Sequence, residues 1–198
     1  MGFEFIAGDI SLDFINTRAG PAPHPDGLNS YRDLADWSAQ AGAISASLRA
    51  SLVRLAGDKP RAAGAAFRNA IRLRECLCRL LLALMERRPP SPDDLHTFNG
   101  FLTQAQSNLE LQPTPGGYRL QRVEVHDRLE ALLWPITSAA SQVLASDLAQ
   151  SIRRCDSETC RWFFIDRSKN HSRRWCDMKV CGNRAKARQF YRQQKSQS

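Results

Sequence analysis

Along the first 150 residues, apolar side chains recur every three or four positions, the spacing that places them on one face of a helix. Leu34, Trp37 and Ala41 mark a helix over residues 31–41, and Leu48, Leu52 and Leu55 a second over 45–55. The longest pattern, Phe67, Ala70, Ile71, Leu77, Leu81 and Leu84, predicts a helix over 65–88. Arg87 and Arg88 in its last turn suit the negative helix end, and Pro89-Pro90 stops it. Ser91 as N-cap, Pro92 at the first helical position and Asp93-Asp94 open the next helix. Its expected buried stripe is Leu95, Phe98, Leu102, Ala105 and Leu109. Leu129, Leu132, Leu133, Ile136, Ala140 and Val143 predict a last long helix over 127–144, which Pro135 should bend or interrupt.

Other segments break the helical period. Ile10, Leu12 and Phe14 alternate with polar residues over 10–15, which fits either a short strand or a helix start. Prolines and glycines make loops of 21–27 and 57–64. Residues 109–125, LELQPTPGGYRLQRVEV, read as two strands around a Pro/Gly turn. Beyond 150 the texture changes: a strand over 162–165, a turn over 166–170, a returning strand over 172–175 and a helix over 184–194. The expected fold is mainly α with some β: a helical domain over 1–150 carrying a small β-hairpin, then a small C-terminal module over 151–198.

Charge sharpens that division. The chain has a formal net charge of +8, yet residues 151–198 hold 13 Lys/Arg against 4 Asp/Glu, leaving the first 150 near neutrality. A basic block is often only a solvated face, but this one coincides with a cysteine cluster, which points to a phosphate-binding surface. No apolar run is long enough to span a bilayer, and the N-terminus lacks the basic start of a secretory signal. The expected compartment is the cytoplasm, where thiols stay reduced and clustered cysteines signal metal rather than disulfides.

Cys155, Cys160, Cys176 and Cys181 form two close pairs, C-x4-C and C-x4-C, with 15 residues between them. Two local pairs bring four soft ligands to one tetrahedral zinc ion at little loop entropy. Knuckle, hairpin and helix, with the last ligand at the helix start, is a treble-clef-like arrangement holding one structural Zn2+ per chain. His171 could replace one cysteine or stand on the turn surface. Cys76 and Cys78, two apart on the longest helix, read as packing residues. Around the cluster, Arg167, Lys169, Arg173 and Arg174 on the hairpin, and Arg184, Arg188, Arg192 and Lys195 on one helical arc, are candidate nucleic-acid contacts. Ala187, Phe190 and Tyr191 on the neighbouring arc are expected to pack on the hairpin.

The stretch from Cys155 to Arg192 resembles the CGNR zinc-finger family of bacterial proteins, whose name is the tetrapeptide found here as Cys181-Gly182-Asn183-Arg184. The RRWC segment Arg173–Cys176 and the basic helix fit it too. The N-terminal region resembles the ABATE domain that precedes this finger, through Leu12-Asp13-Phe14-Ile15-Asn16-Thr17 and the helix carrying Leu73-Arg74-Glu75. The resemblance implies four zinc-ligating cysteines and a role in DNA binding and transcriptional regulation. Asp13, Asn16, Thr17, Arg74 and Glu75 are polar in apolar surroundings. They either line a pocket for a small-molecule effector, or cap local backbone and pair inside the fold.

These readings converge on a DNA-binding transcriptional regulator, not an enzyme, because the four histidines are scattered and no nucleophile–base motif stands out. An RNA-binding module and a zinc-scaffolded protein-interaction module remain as alternatives. A homodimer would suit a palindromic site, though no helix announces a dimer seam.

Overall fold

The computed structural model describes residues 3–18 and 26–195, and no side-chain placement is described for 189–193 and 195. The loop expected over 21–27 therefore lies outside the described residues up to 25.

The ambiguous N-terminal segment is a helix, α1 (Ile10–Asn16). Asp9 caps it by accepting the Ser11 N–H at 2.8 Å, and Gly8 turns the chain into it at φ 83°. Every residue from Ser11 to Asn16 is buried, so α1 lies inside the molecule and its apolar pattern carries no helical stripe. α2 (Tyr31–Gln40) and α3 (Ala46–Asp58) follow, capped by Ser30 and Ser45. The loop expected over 57–64 shrinks to Lys59, because Pro60 takes the first position of α4 (Pro60–Met85). Gly64 sits inside α4, where it costs about 1 kcal/mol relative to alanine but does not break the helix. The helix ends short of the expected 88, with Arg87 in the left-handed region at φ 52°.

α5 (Pro92–Gln106) opens on Pro92 as read, although Ser91 makes no side-chain capping bond. Only part of its expected stripe is covered: Phe98 and Ala105 are buried, whereas Leu95 is 42% exposed. β1 (Leu109–Thr114) and β2 (Gly117–Arg122) form the antiparallel hairpin, pairing Leu111 with Leu120. The last long helix is divided: a 3-10 turn over Leu129–Leu132 leads into α6 (Leu133–Leu144). Pro135 thus falls in the first turn of α6, where its missing N–H costs no helical bond, and no mid-helix bend is needed.

Helices α1 to α6 close around one core in which Leu12, Phe14, Trp37, Leu52, Leu73, Leu77, Leu132 and Ile136 are fully buried. The Phe14 and Trp37 rings meet at 5.4 Å with their planes tilted. Cys76 and Cys78 belong to this core, as expected of packing residues.

Past a 3-10 turn at Asp147–Ser151, β3 (Ile152–Arg154) pairs antiparallel with β4 (Phe163–Ile165). The returning strand expected over 172–175 is not formed, because β4 finds its partner ahead of Cys155 instead. The 172–175 run is irregular, and the Arg173 N–H and the Arg174 carbonyl bond to the Asp166 carboxylate and the Asp156 N–H respectively. A single π turn (Met178–Gly182) leads into α7 (Asn183–Lys195). The period of two along β4 divides its side chains between two cores. Phe163 and Ile165 join the helical core together with Ile152, while Phe164 packs among the four cysteines. No helix among the described residues is long and apolar enough to cross a membrane.

Candidate metal centre and its basic surround

Hairpin β3–β4 holds the first cysteine pair in its turn: the Cys155 N–H bonds to the Trp162 carbonyl at 2.8 Å and the Cys160 N–H to the Ser157 carbonyl at 3.0 Å. Arg161, directly after Cys160, takes a left-handed conformation (φ 63°) that swings the chain back into β4. The second pair is set by Asp177. Its carboxylate accepts the Val180 N–H at 2.8 Å and its carbonyl accepts those of Cys181 and Gly182. These bonds wind the π turn that delivers Cys181 at the start of α7.

All four cysteines are buried and their Sγ atoms lie within 4.8 Å of one another. The Cys160–Cys176 separation is 3.5 Å and the Cys176–Cys181 separation 3.8 Å. Zinc–sulfur bonds of about 2.3 Å in a tetrahedron place sulfurs about 3.8 Å apart, so the cluster has the size zinc requires. Four such sulfurs share negative charge poorly on their own. Hydrogen bonds from Cys160 and Cys176 hold the Cys155 thiol down, while the Cys155 hydrogen bond pushes Cys160 up and burial pushes Cys181 up. A divalent cation removes that conflict by stabilising all four thiolates. Phe164, with Ile6, Trp162 and Trp175, encloses the cluster in an apolar shell. His171 stays on the exposed turn, its Nδ1 3.1 Å from the Asp166 carbonyl, so the ligand set is four cysteines.

The loop between the pairs is organised by Asp166, which is fully buried. Its carboxylate accepts the Ser168 and Arg173 N–H groups, both at 2.9 Å. Burial would raise this carboxyl, but the bonds from Ser168 and Arg173 outweigh it and hold it below the ordinary range.

The expected basic residues divide into two groups. Arg173, though exposed, is engaged by the finger itself: it lies over the Phe164 ring at 4.6 Å and donates to the Trp175 carbonyl at 2.8 Å and to the Cys176 carbonyl. Arg174 pairs with Asp156 at 2.7 Å over the Trp175 ring, and Arg167 donates to the Gly8 carbonyl at 3.2 Å. Lys169 and Arg184 are exposed and Arg188 half-buried, and none of these three makes an ion pair among the described residues. The side chains of Arg192 and Lys195, and of Phe190 and Tyr191, lie outside the described residues. Ala187, expected against the hairpin, is exposed; Ala185 and Arg188 face the knuckle instead, beside Glu158 and Trp175. Lys179 and Lys186, also exposed, were not singled out, because neither falls on the arc shared by Arg184 and Arg188.

The five polar residues of α1 and α4 all have partners within the fold. Asp13 Oδ1 accepts the Ile6 and Ala7 N–H groups at 3.0 and 2.9 Å. Asn16 bonds both ways to the Phe163 backbone, donating to its carbonyl and accepting its N–H, each at 2.8 Å. Arg74, 2% exposed, donates to Thr17 Oγ1 at 3.0 Å and pairs with Asp26. Glu75 pairs with Arg18 at 2.9 Å. Capping and internal pairing is thus what these side chains do, and Asn16 reaches across to the finger's strand, which no local pattern signalled.

With that geometry in place, the family comparison decides the identity. The model of ABATE, "Putative stress-induced transcription regulator", matches residues 8–147. The chain belongs to the ABATE family. The CGNR zinc-finger model matches residues 151–194, in the order expected. A search of curated proteins returns no match. The CGNR finger is a four-cysteine structural zinc site, and the protein is a zinc-binding member of a regulator family. The ABATE region grips that finger through Asn16 and the shared core, and just ahead of it the Ala7 carbonyl accepts the Ile165 N–H at 2.8 Å.

Proposed function

We propose that this ABATE protein is a transcriptional regulator that binds DNA through its zinc-ordered finger. The observation that carries this reading is the exposed cations Lys169 and Arg184 and the half-buried Arg188, none of them in an ion pair among the described residues, on a finger where other arginines are already engaged. Unpaired cations on a rigid frame are suited to clamp phosphates. Arg167, Arg173 and Arg174 shape that frame, and the sequence adds Arg192 and Lys195 to its basic residues. Zinc here is structural, since four thiolates leave no open position for a reacting water, and the protein is a binder rather than an enzyme. The near-neutral body and the basic finger support a binding function in the C-terminal quarter of the chain.

Selection of bound sequences from random duplex DNA, with zinc-loaded protein and structured RNA as competitor, tests this. Enrichment of one DNA motif is expected. Preferential retention of the RNA, or of neither nucleic acid at low salt, would overturn it in favour of an RNA-binding or protein-binding module.

A further inference from the structure

A cavity of about 360 Å³ lies in the helical body, between the α2–α3 turn, the end of β2 and the start of α6. That is within the size range of small-molecule sites, roughly 300–1,000 Å³. Its apolar wall includes Ile44, Leu48, Val125 and Trp134. Two electropositive features meet there. Arg122 lines the cavity, half-buried, donating to the Ala105 carbonyl at 2.6 Å and to Ser138 Oγ, and makes no ion pair among the described residues. Burial lowers the guanidinium's proton affinity. The second feature is the N-terminus of α3: Ser45 and Leu48 line the cavity, and the first turn carries no acidic residue to offset the helix's positive end. Glu124, the one acid on the lining among the described residues, sits 3.7 Å from His126.

We propose that this cavity binds a small carboxylate with an apolar body, the carboxylate held by Arg122 beside the α3 N-terminus and the apolar part against Ile44, Val125 and Trp134. Arg122 is a half-buried cation with hydrogen bonds but no ion pair among the described residues, and a carboxylate supplies the countercharge. Asp13, Asn16, Thr17, Arg74 and Glu75, read from the sequence either as a pocket lining or as internal caps and pairs, have partners within the fold, and this site draws on none of them. The proposal stands independently of what the finger binds.

The test uses the zinc-loaded full chain with 4-phenylbutyrate as probe and 4-phenylbutanol as its uncharged counterpart, followed by the indole N–H resonances of the tryptophans. Saturable movement of the Trp134 resonance with the carboxylate is expected, with at least tenfold weaker binding of the alcohol. The Trp162 and Trp175 resonances of the finger should stay in place. Arg122→Gln should weaken the carboxylate at least tenfold, and Val123→Trp, at the cavity lining, should block it while Arg122 is intact. No saturable movement up to 10 mM, equal response to the alcohol, or wild-type affinity in folded Arg122→Gln would overturn the proposal.

Discussion

Asn16, in the helix that starts the ABATE region, and Phe163, in the strand that carries the zinc knuckle, exchange two hydrogen bonds of 2.8 Å across 147 residues of chain. The Asn16 amide takes the place of a neighbouring strand, satisfying the N–H and carbonyl of Phe163 where both are buried. Asn16→Ala strands both groups, and each costs about 1–3 kcal/mol. Chemical denaturation should register a loss of about 2–4 kcal/mol, with zinc still bound at one equivalent.

Asp13, three residues earlier, behaves differently with pH. Burial raises its carboxyl to about 6 against a backdrop of two backbone N–H bonds that lower it, with Asp9 adding to the rise. A carboxyl raised on folding binds its proton more tightly in the native state, so stability falls as pH rises from about 4 to about 6 and is level above. Both N–H bonds go to Oδ1, which an asparagine carbonyl can replace. Asp13→Asn should therefore hold its stability across that window and equal or exceed wild type at pH 7. Asp13→Ala, leaving the Ile6 and Ala7 N–H groups without an acceptor, should lose about 1–3 kcal/mol. Urea midpoints between pH 4 and 8 check both.

Removing zinc should unfold the finger while sparing the body. The cysteine core is small and held by metal, whereas α1 to α6 enclose their own core. On chelation, amide exchange should accelerate over 155–181 while most of the helical circular dichroism persists. Cys160→Ser should reproduce the change without chelator.

Arg173 and Arg184 separate bracing from contact. Arg173→Ala removes the cover of Phe164 and the donors to the Trp175 and Cys176 carbonyls, so it should speed zinc loss to a competing chelator. Arg184→Ala should leave zinc retention unchanged and lower nucleic-acid affinity alone. The asymmetry between these two arginines of one finger follows from their partners: Arg173 is engaged by Phe164 and two carbonyls, whereas Arg184 makes no ion pair among the described residues.

Local patterns were readable where the chemistry is local. The zinc ligands stand in two short pairs, and α2, α4 and α5 announce themselves by apolar period, α5 also by Pro92 at its start, whereas Pro60 reads in the sequence as part of a loop and not as the start of α4. Residues 10–16 were ambiguous because a helix buried on all sides has no polar face to set a period. The strand expected over 172–175 failed because pairing is a long-range choice, and Ile152–Arg154 ahead of the first cysteine competes for β4 with apolar Ile152 opposite Ile165. Asn16 was legible as unusual but not as a clasp, since its partner lies at the other end of the chain. The engagement of Arg173 likewise depends on Phe164 and the Trp175 and Cys176 carbonyls, which composition does not reveal.

The most direct measurement of the central claim is the affinity of zinc-loaded protein for a duplex DNA as salt is raised, for wild type and for Lys169→Ala/Arg184→Ala/Arg188→Ala. Each neutralised phosphate releases counterions, so log K should fall linearly with log salt, and the triple variant should bind more weakly with a slope shallower by about one per lost contact. Wild-type affinity and slope in a triple variant that retains its zinc would contradict the assignment of this surface to DNA.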